Sequence, residues 1–280
     1  MVNAFTWGVS WWPLRQLQDA GLHPLWATVL IYGLAVALIV ALRPGAVAHL
    51  LKTPVLWVLV LAAGTTNATF NWAVTIGDVV RVVLLFYLMP LWAVLLARLL
   101  LNERLTPLAM ARVALALAGA AVVLWPAESS GSGGLPLPQS LPDWLGVIGG
   151  FSFALNNVML RREAHQPEAA RALAMFVGGA AVAGVLAAAL SAQGAVALPP
   201  APAWGWVAGV LAMAVLFLAG NLALQYGAAQ LPANVTAVVM LTEVLFASVS
   251  AVLLGAGQIT PALALGGALI LGAALLSARG

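Results

Sequence analysis

Apolar residues run along this chain in long uninterrupted stretches, separated by short clusters of proline, glycine and charge. A helix needs about 20 apolar residues to cross a hydrocarbon core of roughly 30 Å. Breaker residues divide the runs into ten such lengths, predicted as helices at 2–18, 24–42, 54–74, 79–101, 107–126, 144–161, 169–191, 204–226, 233–254 and 261–278. The first is interrupted by Pro13, Arg15 and Gln16. The longest connection carries the Gly/Ser/Pro-rich string ESSGSGGLPLPQS, which has the composition of a flexible linker. The pattern therefore predicts an all-α integral membrane protein with two five-helix units, 1–126 and 144–280, joined by a linker over 127–143.

Composition agrees with a bilayer as the solvent. Of 280 residues, 64% are hydrophobic and only 7% are charged, against about 25% charged in soluble domains. Mean hydropathy is +1.06. Ten spans leave no room for an appended soluble domain. The net charge of +3 comes from basic residues scattered along the apolar chain, so no basic face exists for nucleic acid. There is no cysteine, and His23, His49 and His165 fall in predicted connections without metal-ligand spacing. Neither a metal nor a cofactor is expected. The N-terminus lacks the basic n-region of a cleaved signal, and Trp7, Trp11 and Trp12 interrupt its apolar stretch.

Charge also predicts orientation. With the N-terminus in the cytoplasm, that side receives Arg43, Lys52, Arg98, Arg104, Arg112, Arg161, Arg162, Arg171 and Arg279, and the far side only Arg15 and Arg81. The positive-inside rule then puts both termini in the cytoplasm.

The two units resemble each other. Asn71-Trp72-Ala73-Val74-Thr75-Ile76-Gly77 parallels Asn221-Leu222-Ala223-Leu224-Gln225-Tyr226-Gly227, and Gly8-Val9-Ser10-Trp11 parallels Gly150-Phe151-Ser152-Phe153. Leu100-Leu101-Asn102 before Leu105-Thr106-Pro107 parallels Leu253-Leu254-Gly255 before Ile259-Thr260-Pro261. A repeat of five helices enters the membrane in opposite senses, and such inverted repeats suit alternating access.

With these residues in view the chain resembles the EamA branch of the drug/metabolite transporter superfamily. The likeness rests on Trp7, Gly8 and Ser10, on Tyr87-Leu88-Met89-Pro90, and on Leu100-Leu101-Asn102-Glu103-Arg104-Leu105-Thr106-Pro107. Within that branch it is most similar to the YddG-type exporters of aromatic and other neutral amino acids. The resemblance implies a carrier of the bacterial-type inner membrane with a central cavity lined from both halves, and a monomer is favoured. Glu243 stands where a second proline like Pro90 is expected, and Ala256–Gly257 replaces the Glu103 position.

Polar side chains within spans face a cavity or another helix, because lipid cannot solvate them. Asn67, Asn71 and Thr75 recur every four residues on the third span, with Asp78 following. Asn221 and Gln225 are their counterparts on the eighth, so Asn71 and Asn221 are expected to face each other across the pseudo-two-fold axis. Ser152, Asn156 and Asn157 mark the sixth span, and Glu243 is a carboxylate deep in the ninth. Trp7, Ser10 and Trp11 share one region of the first span, and Phe86 and Tyr87 precede Pro90 on the fourth. Proline removes a backbone donor, so Pro13 and Pro90 free the carbonyls of Val9 and Phe86. Such carbonyls beside aromatics are expected to hold an ammonium and an apolar side chain. All fourteen of these side chains, with Asp78 set aside, are candidate substrate ligands. Amides gluing helices together remain the competing structural reading. Asp78 and Arg81, one turn apart, read as an ion pair.

The pattern thus predicts a secondary carrier for small metabolites, amino acids foremost. A carrier of another metabolite or drug is the alternative. An intramembrane enzyme is far weaker, since no histidine lies in a span to serve Ser10 and Asp78 has no deep aspartate partner; no catalytic residue is assigned. Channels want charge rings or carbonyl filters, and no phosphate-binding Gly-rich loop for a pump is present. Facilitated diffusion and proton antiport through Glu243 are both open.

Overall fold

The computed structural model describes residues 2–102, 107–124, 138–230, 243, 246–247, 249–255 and 260–277, which are helical or connecting, with no strand among them. Residues 1–126 contribute α1 (Val2–Val9), α2 (Trp11–Asp19), α3 (Pro24–Leu42), α4 (Gly45–Lys52), α5 (Leu56–Ile76), α6 (Val79–Phe86), α7 (Met89–Leu101) and α8 (Pro107–Leu124). The rest of the chain contributes α9 (Leu141–Arg162), α10 (Glu168–Ala192), α11 (Trp204–Gln230), helical residues at 243, 246–247 and 249–253, and α12 (Pro261–Ser277). Helix is the expected state because, in lipid, a chain must satisfy its own backbone groups.

Four helices among the described residues are long and apolar enough to cross a membrane: Pro24–Leu42, Arg81–Leu101, Glu168–Ala192 and Trp204–Asn221. The pair α4 and α5, bent by 104°, makes a fifth if it is one span. Helix α5 carries Thr65, Thr66, Asn67, Thr69, Asn71 and Thr75, and α9 carries Ser152, Asn156 and Asn157. Those polar residues dilute the apolar signal of the two helices that build the centre of the bundle.

Local chemistry sets the ends. Pro24 opens α3 behind His23, whose Nδ1 accepts the Leu25 N–H at 3.2 Å. Asp78 caps α6 by accepting the Arg81 N–H at 2.8 Å, and Ser140 caps α9 through the Asp143 N–H at 3.3 Å. Asn102 ends α7 in the left-handed region, with φ of 54°. The segments expected as single helices at 2–18 and 79–101 are each interrupted. Helix α1 stops at Val9 and α6 at Phe86, the residues four before Pro13 and Pro90, where each proline removes the next intrahelical bond. The predicted span over 233–254 and the Glu103–Thr106 and Ala256–Ile259 motif positions fall wholly or largely outside the described residues.

Helix α5 sits at the centre, against α9 and α10. Contact there is close enough to exclude side chains. A Cβ on Gly178 would collide with the Val60 carbonyl, and one on Gly64 with the Gly178 carbonyl. Small residues let apolar helices approach until backbone touches backbone, the main source of cohesion in lipid. A Cβ on Gly150 would likewise strike the Phe86 carbonyl. The Phe86 carbonyl expected to be free for a ligand is therefore turned onto α9. Proline has removed its intrahelical partner, and packing on Gly150 occupies the space.

Candidate functional site

The helices surround a cavity whose wall is largely aromatic. Helix α1 contributes Trp7, α3 Tyr32, α5 Phe70 and α6 Phe86, while α9, α10 and α11 contribute Phe153, Phe176 and Phe217. These rings touch in sequence. Phe217 lies 4.8 Å from Trp7 and 5.8 Å from Tyr32 between centroids; Phe70 lies 5.6 Å from Trp7 and 5.0 Å from Phe86; Phe86 lies 5.3 Å from Phe153. Edge-on and tilted contacts of this kind add to the apolar burial of each ring. The same rings line the cavity.

Polar groups interrupt the belt at a few points: Asn3, Thr66, Asn67, Asn156, Asn221 and Glu243. Asn67 is fully engaged, donating to the Ala63 carbonyl at 2.7 Å and accepting from the Tyr32 hydroxyl at 2.6 Å. Thr66 bonds back to the Ala62 carbonyl at 2.8 Å. Asn156 differs. Its side chain is 2% exposed, and its Oδ1 has no partner among the described residues. A buried acceptor without a donor costs about 1–3 kcal/mol, so this atom is suited to an incoming N–H. Glu243 is 6% exposed and accepts from the Tyr87 hydroxyl at 3.4 Å. Among the described wall residues it is the single ionisable carboxylate, and no Lys or Arg accompanies it.

Six of the sequence-predicted residues thus stand in one wall: Trp7, Asn67, Phe86, Asn156, Asn221 and Glu243. Tyr87 lies behind Glu243 and holds its carboxylate. The others are placed elsewhere. Asn71 is 0% exposed and donates to the Thr28 hydroxyl at 3.0 Å, tying α5 to α3. It does not share the cavity with Asn221. Thr75 donates to the Asn71 carbonyl. Ser10 is buried and donates to the Trp7 carbonyl at 2.8 Å. Trp11 donates from Nε1 to Ser250 Oγ at 2.9 Å, with the Arg15 guanidinium 5.0 Å from its ring centre. Ser152 is buried apart from the wall, and Asn157 is exposed. Gln225 belongs to α11, but its side chain lies outside the described residues, as does that of Pro90.

The Asp78–Arg81 pairing expected from spacing is replaced by a longer one. Arg81 binds Asp143 of α9 at 2.8 Å, while Asp78 spends its carboxylate on the helix cap. Asp143 is the better partner because both its oxygens meet the guanidinium fork. Burial pushes the Asp143 carboxyl up, but bonds from Arg81, the Gln139 N–H and Ser140 together hold it below the ordinary carboxylate value.

Sequence reasoning missed Asn3, Tyr32, Thr66, Phe70, Phe153, Met175 and Phe176. Two carried a signal. Phe70 follows Asn67 by three residues and Phe153 precedes Asn156 by three, the spacing that shares a helix face. Met175 and Phe176 stand in an apolar stretch of α10 with no polar neighbour to mark their side. Among the described residues, no three His, Asp or Glu side chains gather as a metal site.

A crystal structure described only as "Crystal structure of protein" is similar in fold, with a TM-score of 0.59 over 98% of this chain and 94% of that one, at 20% identity. No curated protein matches. Residues 1–125 match the model of the EamA-like transporter family, so that part of the chain is similar to this family.

Proposed function

We propose that this protein is a secondary carrier of the bacterial-type inner membrane. It exports small amphipathic metabolites, aromatic or other neutral amino acids first among them, by alternating access about the central cavity. The observation that carries this reading is the unpartnered buried Oδ1 of Asn156 in an aromatic wall that also holds Glu243. An ammonium group supplies the missing N–H and is attracted both to Glu243 and to the ring faces. The apolar side chain of the same molecule fills the aromatic belt. Asn3 and Asn221 add amides to a wall whose described residues include no Lys or Arg. An anion lacking the ammonium finds Glu243 and no counter-charge.

Two inverted five-helix units are part of the proposal. Gly8 and Gly150, aligned between the units, each sit where a Cβ would meet backbone. A Cβ on Gly8 would lie 2.7 Å from the Glu243 carbonyl oxygen, and one on Gly150 would strike the Phe86 carbonyl. Each glycine lets the first helix of its own unit cross the fourth helix of the other. Crossings of this kind, one in each sense, favour an exchange of conformations between the units.

Counterflow in proteoliposomes tests the reading. Vesicles preloaded with unlabelled phenylalanine, tryptophan or leucine should accumulate the labelled amino acid only when the protein is present. Absence of counterflow for every neutral amino acid, in protein that remains folded, overturns the substrate class.

A further inference from the structure

A second recess lies at the end of the bundle where the α3–α4 turn meets the start of α10. Its wall includes Leu42, Arg43, Ala46 and His49 on one side and Pro167 and Ala170 on the other. Helix α4 turns away from α5 by 104°, so it cannot run parallel to the spans. It is amphipathic in the manner of an interfacial helix. Ala46 and Leu50 are buried against the bundle, while Leu51 is 63% exposed. Leu42, at the end of α3, is 68% exposed.

The charges here are unevenly committed. Gln166 donates from Nε2 to His165 and, at 3.5 Å, to Glu163. Its Oε1 must then accept, so the His49 bond of 2.7 Å is a donation from the ring Nε2–H. That bond fixes the imidazole between α4 and the 163–167 connection. Glu163 also lies 3.6 Å from Arg162, so its carboxylate is engaged by its own connection. Arg43 is exposed and has no side-chain partner among the described residues. An uncommitted guanidinium at the rim of a recess edged by the exposed Leu42 presents both requirements of a lipid: N–H donors for its phosphate and apolar surface for its chains.

We propose that this recess binds the phosphate of an anionic phospholipid, with Arg43 on the headgroup and Leu42 along the acyl chains, while the His49–Gln166 bond holds the recess wall in place. Basic recesses between membrane helices select anionic lipids on this physical ground. A bidentate guanidinium–phosphate contact gives the preference over a zwitterionic lipid, whose choline would approach Arg43 with like charge. The bound lipid bridges α4 of the first unit to α10 of the second. This assignment is independent of what the central cavity carries.

Thermal unfolding of the purified full-length chain in detergent tests it. Phosphatidylglycerol should raise the unfolding temperature by several degrees, with phosphatidylcholine and inorganic phosphate giving little change. Arg43→Gln removes no internal bond, so its unfolding temperature without lipid should match the parent, and most of the phosphatidylglycerol shift should disappear. Equal shifts with the two lipids overturn the proposal, as does a full shift retained by Arg43→Gln. A shift reproduced by inorganic phosphate alone overturns the lipid assignment in favour of a soluble anion.

Discussion

Arg81 grips Asp143 through two parallel bonds, 2.8 Å from Nε to Oδ1 and 3.0 Å from Nη2 to Oδ2, and so joins α6 to α9. The pair sits beside another close approach, since a Cβ on Gly77 would come within 2.5 Å of the Pro142 ring. Arg15 adds a third tie by donating to the Thr75 carbonyl at 3.1 Å and to the Gly77 carbonyl. The fork and the packed turn thus tie the start of α9 to α6 and to the end of α5, and the Arg15 bonds tie α2 to that same end of α5.

Asp143→Asn should lower stability by about 1.5–3 kcal/mol, the usual worth of hydrogen bonds to a charged group. Thermal unfolding at several pH values checks it. The Asp143 carboxyl lies below its ordinary value, so its contribution is complete above about pH 4, where an unfolded aspartate ionises, and fades as pH falls through the lower folded value. The gap between parent and variant should therefore be full at neutral pH and close in acid. A gap unchanged at pH 3 and 7 contradicts this account.

Asn156 and Asn157 are neighbours with opposite surroundings, one buried in the cavity wall and the other exposed. Asn156→Leu should weaken transport by about 10- to 100-fold in kcat/KM, the equivalent of one hydrogen bond to a charged group. Asn157→Leu should leave transport within about twofold. Equal effects at both positions would argue against Asn156 as a substrate ligand.

Glu243 offers a test of energy coupling. If a proton moves on its carboxylate, Glu243→Gln keeps the Tyr87 contact and abolishes the pH dependence of counterflow. Transport by the variant that retains the full pH dependence removes Glu243 as a proton carrier. Tyr87→Phe, which takes away the hydroxyl that positions the carboxylate, should shift the pH profile without flattening it.

Glycine substitutions separate packing from propensity. A Cβ at Gly150 meets the Phe86 backbone, which cannot yield as a side chain can, whereas nothing lies within 4 Å of one at Gly33. Gly150→Ala should destabilise by about 1–3 kcal/mol. Gly33→Ala should be neutral or stabilising by up to about 1 kcal/mol, from helix propensity alone. Unfolding temperatures in detergent compare the two directly.

The sequence by itself determined that this chain is helical and apolar, and where most helices begin and end. Those features follow from local chemistry: length of apolar run, capping side chains at His23, Asp78 and Ser140, and prolines that end α1 and α6 four residues upstream. It also singled out Trp7, Asn67, Phe86, Asn156, Asn221 and Glu243, because polar or aromatic residues in a span are costly enough to stand out. Tertiary structure alone decided which side each helix turns inward. Asn67 and Asn71 lie one turn apart on α5, yet one lines the cavity and the other is bound to Thr28. Four residues overshoot one helical turn by about 40°, and neighbouring helices cross at an angle, so a stripe drawn along one helix passes from one neighbour to the next. Tyr32, Met175 and Phe176 became visible for the same reason. Their role depends on the close approach at Gly64 and Gly178 that brings α10 against α5, a relation between distant residues that no local pattern encodes.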